Sequence, residues 1–254
     1  MTQRQALNAI ALIGGMGPQA GADALARFLA ACRGELRRLG REVTDQAYPP
    51  HVLVQFPVAD RSQALLQGGA SPLPGMIDAF RVARASGARV FGIACNTAHF
   101  WHGELSRRFR DLDIVHIADE TAAAVQRSGA RSCAVLATLA TQHGGLYQQA
   151  LAARGIEVVA QAEAELARTH AAIFAVKAGR LAQARQLLAP QLDRLLARAD
   201  AVVLGCTELG LVLPAGSFPA GRVVDAADVL AAALAARAFG SPLPLPQIAE
   251  QECP

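Results

Sequence analysis

Short apolar runs alternate with longer amphipathic segments along most of the chain, and this alternation predicts its secondary structure. Eight runs are short, continuous and apolar enough to be buried strands: 9–13, 51–55, 90–94, 114–117, 132–137, 156–160, 201–204 and 222–224. Apolar residues at three- and four-residue steps predict helices at 22–36, 77–85, 120–127, 146–154, 182–198 and 228–239. We expect Pro190 to kink or split the fifth of these helices. Apolar strands separated by helices indicate an α/β protein with parallel sheets covered on both faces.

A faint internal repeat suggests that this pattern occurs twice. Three pairs of segments resemble each other in the same order, and they are 10–15 with 133–138, 91–97 with 202–208, and 117–125 with 226–234. We therefore expect two pseudo-symmetric α/β domains, each a mostly parallel sheet flanked by helices, with an active site in the cleft between them. Residues 1–112 together with a returning C-terminal helix in 225–254 would form one domain, and 113–224 the other. The proline-rich end of the chain, 241–254, is expected to be a loose end.

Composition excludes several classes of protein. Hydrophobic residues make up 52% and charged residues 18% of the chain, which is enough for a buried core and excludes intrinsic disorder. The net charge of +3 and the scattered basic residues argue against a nucleic-acid partner. No secretory signal is visible, and the apolar stretch 10–13 is too short to span a membrane, so we expect a cytoplasmic protein.

The cysteines show no disulfide or zinc pattern, since the five of them are widely spaced without a CxxC motif. Cys95 and Cys206 each follow a predicted strand directly, and a threonine stands within the next two residues. The carboxyl ends of parallel strands are where ligands bind, and backbone N–H groups and a helix dipole there would favour the thiolate. One such cysteine would be read as structural, but two in equivalent places of a repeat favour catalysis. Cys32 and Cys133 are expected in the core, and Cys253 lies in the tail.

Two matched thiols suit one reaction in particular. Inverting a stereocentre by proton transfer needs a base on one face of a carbon and an acid on the other, with the roles exchanged in the reverse direction. Asn96, Thr97 and Thr207 could stabilise the charge that develops on a substrate carboxylate. The glycine-rich segment 14–18 would let a ligand approach the backbone, but its spacing does not fit a dinucleotide fingerprint.

With these motifs, the chain resembles the aspartate/glutamate racemases, a family of cofactor-independent amino-acid racemases. The resemblance covers roughly residues 8–239 and is carried by the segments 14–18, 95–99, 136–138 and 205–208. It implies Cys95 and Cys206 as the two proton-transfer residues, an amino-acid substrate, no pyridoxal phosphate or metal, and a homodimer. The residues that it places around the substrate are Met16, Gly17, Arg61, Asn96, Thr97, Thr138, Lys177, Thr207 and Glu208.

Some of these assignments have a plainer alternative. In the family, an arginine after the second strand and a lysine between the third and fourth strands of the second domain contact substrate carboxylates. Arg61 and Lys177, the only lysine, stand at those places, but either could be an ordinary surface charge. Glu208 either holds the loop of Cys206 or is a charge at a helix start. The segment 55–61 lacks the asparagines frequent in aspartate-specific members, which leaves the side-chain preference open.

Other residues give weaker signals. His99 follows Cys95 by four positions and is expected either to orient it or to support packing. His99 and His102 could suggest a metal, but no third ligand has a suitable spacing. His143 falls near the expected cleft and has no assigned role, and Tyr147 is expected to be a packing residue.

Two alternative functions remain at this stage. Hydantoin racemases, maleate isomerases and arylmalonate decarboxylases are related to the same family, although the last group lacks one of the two cysteines. A non-catalytic dicarboxylate-binding module would use Arg61 and Lys177 and leave the thiols inert. A pyridoxal enzyme fits poorly, because no phosphate-binding context surrounds Lys177.

Overall fold

The computed structural model describes residues 7–241 and 243, so that Cys253 and most of the proline-rich tail lie outside the described residues. Within that range the chain forms eight strands and ten α-helices. The strands are β1 (Ile10–Gly14), β2 (His51–Gln55), β3 (Val90–Ile93), β4 (Asp113–Val115), β5 (Ser132–Leu136), β6 (Glu157–Val158), β7 (Ala201–Leu204) and β8 (Val223–Asp225). The helices are α1 (Pro18–Arg38), α2 (Arg61–Gln67), α3 (Leu73–Ala85), α4 (His102–Arg108), α5 (Ile117–Arg127), α6 (Leu139–His143), α7 (Leu146–Ala152), α8 (Glu163–Lys177), α9 (Leu181–Leu196) and α10 (Ala226–Ala238).

The strands form two parallel sheets of the same design. The first has the order β2-β1-β3-β4 and the second the order β6-β5-β7-β8. Adding four to each strand number of the first sheet gives the second, so β3 and β7 hold equivalent positions. The predicted α/β fold of two similar halves is confirmed, and all eight predicted strands are present.

The helices depart from the sequence pattern in two ways. Four of them were not predicted, namely α2, α4, α6 and α8. Pro190 lies inside α9, which continues on both sides of it, so of the two expected outcomes, a kink or a split, the split is wrong. A proline removes one backbone hydrogen bond. Leu188 and Leu192, both buried on either side of it, hold the helix in the core of the second half.

The C-terminal helix returns to the first half of the molecule. After β8, the Asp225 carboxylate caps α10 by accepting a hydrogen bond from the backbone N–H of Ala227 at 2.9 Å, and α10 packs against α1 and α5. Arg27 on α1 reaches the same carboxylate at 2.9 Å, which ties α1 to the end of the second sheet. Strand β4 pairs with β3 in the first sheet, although the expected division counts residues from 113 onwards in the second domain. The division into two domains stays a prediction.

Candidate active site

The two cysteines stand at equivalent places. Each lies two residues beyond its strand, Cys95 after β3 and Cys206 after β7, and each is buried. Both line one small cavity, which contains space for about one water molecule. The residues around this cavity are Met16, Asp60, Arg61, Ser62, Cys95, Asn96, Thr97, Thr138, Lys177, Cys206, Thr207 and Glu208. Every predicted site residue except Gly17 is therefore part of its wall.

The glycine-rich turn after β1 forms one side of the site. Gly15 has a φ of +87°, which favours glycine, and its backbone N–H donates to the Gln55 side chain at 3.1 Å. The carbonyl of Met16 accepts a hydrogen bond from Arg61. Gly17 does not line the cavity but lies close to one of the residues that do, since a Cβ at Gly17 would be 3.8 Å from Glu208 Oε1.

Cys206 is held by a carboxylate. Its thiol donates to Glu208 Oε2 at 2.9 Å, and the Thr207 hydroxyl donates to the same oxygen at 3.3 Å. Burial raises the pKa of Cys206 well above its usual range, and the Glu208 charge raises it further, while Lys177 opposes both effects. The expectation that the strand end favours a thiolate is therefore wrong for Cys206, because desolvation and a neighbouring anion outweigh the backbone dipoles.

Cys95 has a different environment. The imidazole Nδ1 of His99 lies 2.9 Å from the carbonyl oxygen of Cys95, so His99 contacts the backbone of this residue rather than its sulfur. No carboxylate within residues 7–241 and 243 hydrogen-bonds to the thiol of Cys95. The two equivalent cysteines thus differ in their immediate partners.

Arg61 is a buried cation at the start of α2, only 8% exposed. Its guanidinium donates to the carbonyls of Met16 and Ala59, the latter at 3.3 Å, and Nε has no partner among the residues described. Asp60 caps α2 by accepting a hydrogen bond from the Gln63 backbone N–H at 2.8 Å, so the helix begins at Arg61. A buried guanidinium bonded only to carbonyls is suited to bind a carboxylate.

Lys177 ends α8 and faces the cavity. Its Nζ lies 3.8 Å from Glu208 Oε1. Burial works against the charge of Lys177, yet the Glu208 carboxylate and the thiols of Cys206 and Cys95 together raise its pKa, and Arg61 opposes this rise. The alternative of a freely solvated helix end does not fit this position, because the side chain is only 27% exposed.

A cluster of threonine hydroxyls joins the two halves at the site. Thr97 Oγ1 lies 3.2 Å from Thr138 Oγ1 and 2.9 Å from Thr141 Oγ1. Thr138 also caps α6 by accepting from the Thr141 backbone N–H at 3.2 Å. On the other side, the Thr207 hydroxyl reaches the Ala94 carbonyl at 3.5 Å. The turns after β3, β5 and β7 are therefore bonded to one another around the cavity.

Sequence reasoning missed some contributors to the site, and two histidines without an assigned role lie outside the cavity wall. Asp60 and Ser62 line the cavity, and a helix cap in the sequence Asp-Arg-Ser before an apolar pair was the signal for them. Tyr147, expected to pack only, also donates a hydrogen bond to the Asn96 side chain. His143 does not belong to the cavity wall and contacts Glu163 at 3.3 Å on the surface. His102 bonds to the carbonyl of Ile114 at 2.8 Å.

Residues 7–241 and 243 contain no group of three or more histidine, cysteine or carboxylate side chains arranged to hold a metal ion. No helix within them is long and apolar enough to cross a membrane.

Comparison with known proteins agrees with this geometry. A family profile described as Asp/Glu/hydantoin racemase matches residues 13–234. The structure of an aspartate racemase from Picrophilus torridus superposes with a TM-score of 0.75 and 26% identity, covering 89% of this chain and 92% of the other. The broad specificity amino-acid racemase RacX of Bacillus subtilis (strain 168) is 24% identical over 80% of this chain and 87% of its own length. A glutamate racemase of Roseiflexus sp. (strain RS-1) is 33% identical over 58% of this chain and 55% of its own.

The family profile and the aspartate racemase neighbour together define an isomerase of the racemase class. The chain belongs to the Asp/Glu/hydantoin racemase family. The resemblance expected from the cysteine motifs is confirmed.

Proposed function

We propose that the protein is a cofactor-independent racemase of aspartate and glutamate, in which one of Cys95 and Cys206 removes the Cα proton and the other donates a proton to the opposite face. One observation carries this proposal: two thiols at equivalent strand ends line a single cavity together with Arg61 and Lys177. The family alone would leave the reacting groups open, whereas this juxtaposition supports a two-base reaction.

The reaction needs one thiolate and one thiol at the start. The thiolate removes the Cα proton from one face of the substrate, and the thiol donates its own proton to the opposite face. Each turnover moves one proton from substrate to sulfur and one from sulfur to product, so the enzyme ends with the roles of its cysteines exchanged. The bond from Cys206 to Glu208 and the raised pKa of Cys206 support this residue as the proton donor of the resting enzyme. Cys95 would then act as the first base.

The charges around the cavity support an acidic substrate. Removing the Cα proton places negative charge on the α-carboxylate, which the hydroxyls and amide on the wall can stabilise. Arg61 and Lys177 supply two cations, so an α-carboxylate and a side-chain carboxylate can each meet one. Lys177 also lies near Glu208, which moderates its charge in the free enzyme.

Deuterium exchange tests the proposal directly. Each enantiomer of aspartate and glutamate is incubated in heavy water, and both incorporation at Cα and optical rotation are followed. We expect exchange with inversion for at least one of the two amino acids. Absence of exchange with both amino acids would contradict the proposal, and formation of fumarate from maleate without racemisation would assign the isomerase alternative.

Single cysteine variants test the roles of the thiols. We expect Cys95→Ser and Cys206→Ser each to lower racemisation by about 10³-fold or more, since each removes an acid–base group. A variant with one remaining thiol is expected to exchange the Cα proton of one enantiomer only. Cys32→Ala is the matched control, because Cys32 is fully buried in the core away from the cavity. Full activity in either serine variant would exclude the two-base scheme.

We also propose a cytoplasmic homodimer with the site in a cleft between two domains. The family resemblance supports the dimer, and the free thiols of Cys32, Cys95, Cys133 and Cys206 suit a reducing compartment. Sedimentation at micromolar concentration measures the assembly, and a monomer that racemises at full rate would contradict the dimer.

A further inference from the structure

Tyr147 on α7 lies between the two turns that carry the cysteines. Its side chain is fully buried, and its hydroxyl donates a hydrogen bond to Oδ1 of Asn96, the residue after Cys95. Its ring packs against Gly205, the residue before Cys206. A Cβ at Gly205 would come within 2.9 Å of Tyr147 Cε2, so only glycine allows this close approach. The tyrosine therefore contacts the neighbours of both thiols without lining the cavity itself.

The hydrogen bond sets the orientation of the Asn96 amide. Burial raises the pKa of the Tyr147 phenol well above its usual range, against a smaller opposing effect of Thr121, so the hydroxyl keeps its proton and donates. Because Oδ1 of Asn96 accepts that proton, the Nδ2 group is turned away from Tyr147. Asn96 is 2% exposed and lines the cavity, and its Nδ2 has no hydrogen-bond partner in the described part of the chain. A buried donor of this kind is suited to meet a ligand acceptor.

We propose that Tyr147 is a positioning residue of the racemase, which holds Asn96 so that Nδ2 donates to a carboxylate oxygen of the substrate. This inference rests on the proposed function. As the Cα proton leaves, charge accumulates on that carboxylate, and a donor already aimed at it gains strength in the transition state. Tyr147 touches neither substrate nor thiol, so its whole effect passes through Asn96.

A double-mutant cycle separates this role from packing. Tyr147→Phe removes the hydroxyl and keeps the ring against Gly205. We expect kcat to fall about tenfold with KM changed less than about threefold, since the lost interaction acts mainly in the transition state. Asn96→Ala should lower kcat at least as much, and the double variant should be no slower than Asn96→Ala alone. Tyr48→Phe, the same change at the other tyrosine, which lies outside the cavity wall, is expected to leave kcat unchanged.

The outcomes are distinct. Unchanged kcat in Tyr147→Phe, or effects of the two single variants that multiply in the double variant, would overturn the inference and leave Tyr147 a packing residue. If the wild-type protein racemises no amino acid, the proposed function fails instead. Binding of succinate, measured by calorimetry, then still tests Tyr147. We expect Tyr147→Phe and Asn96→Ala each to weaken succinate binding about twofold, the small ground-state share of an interaction that acts mainly in the transition state. The double variant should weaken binding no further, and unaltered binding in Tyr147→Phe would refute the positioning role.

Discussion

His99 is expected to make the protein sensitive to acid. Its side chain is 2% exposed, and its two ring nitrogens face the carbonyl oxygens of Cys95 at 2.9 Å and Val115 at 3.4 Å. Burial, with smaller contributions from His116 and His102, lowers the pKa of His99 from 6.5 to about 3. Protonation of His99 is therefore less favourable in the folded protein than in the unfolded chain.

The size of the effect follows from this shift. Because the folded pKa lies below the unfolded one, the stability that His99 contributes is present above about pH 6.5 and is lost as the pH falls towards about 3. One pKa unit corresponds to about 1.4 kcal/mol. Between about pH 7.5 and about pH 5, protonation of His99 in the unfolded chain therefore lowers the free energy of unfolding by about 2 kcal/mol. The largest loss from this residue, reached at lower pH, is about 5 kcal/mol.

Urea denaturation of the wild type and of His99→Asn across this pH range measures the effect. Asparagine is neutral throughout and keeps a donor near the Cys95 carbonyl, so we expect the stability of the variant to fall by about 2 kcal/mol less than that of the wild type on going to about pH 5. Carboxylates and the histidines outside this cluster titrate in both proteins and cancel in the comparison, and His102 and His116, which interact with His99, add only a smaller difference. His143→Asn is the control, since His143 is exposed. Parallel stability curves for wild type and His99→Asn would refute the reasoning.

Three further predictions concern the site. Glu208→Gln removes the anion beside Cys206, so alkylation of this thiol, mapped by mass spectrometry, should begin at lower pH than in the wild type; an unshifted profile would contradict the role of the carboxylate. Arg61→Lys loses the planar, forked donor set, so we expect KM for the amino acid to rise about 10- to 100-fold in steady-state assays, and an unchanged KM would exclude Arg61 from carboxylate binding. Gly205→Ala places a Cβ 2.9 Å from Tyr147, so urea denaturation should show a loss of about 1–3 kcal/mol, whereas wild-type stability would show that the turn yields freely.

The strands were predictable and several helices were not. Continuous apolar runs mark buried parallel strands because both faces of the sheet are covered, and β1, β3 and β7 are buried along their whole length. Helices α2, α4 and α6 have only five to seven residues each, too few for an apolar period to emerge. Helix α8 is longer, but its buried positions all lie between Thr169 and Val176, so the stripe covers only about two turns and includes a threonine and two alanines.

The amino-acid sequence by itself determined the α/β fold, the repeat and the equivalence of Cys95 and Cys206, because apolar periodicity and local motifs carry that information. Only the tertiary structure decided that the two thiols differ, with Cys206 bonded to Glu208 and Cys95 held through its backbone by His99. The physical reason is that desolvation and Coulomb interactions depend on which side chains become neighbours in space. The position of Lys177 also depends on the tertiary structure, since this residue lines the same cavity as Cys95 although it follows Cys95 by 82 positions in the chain.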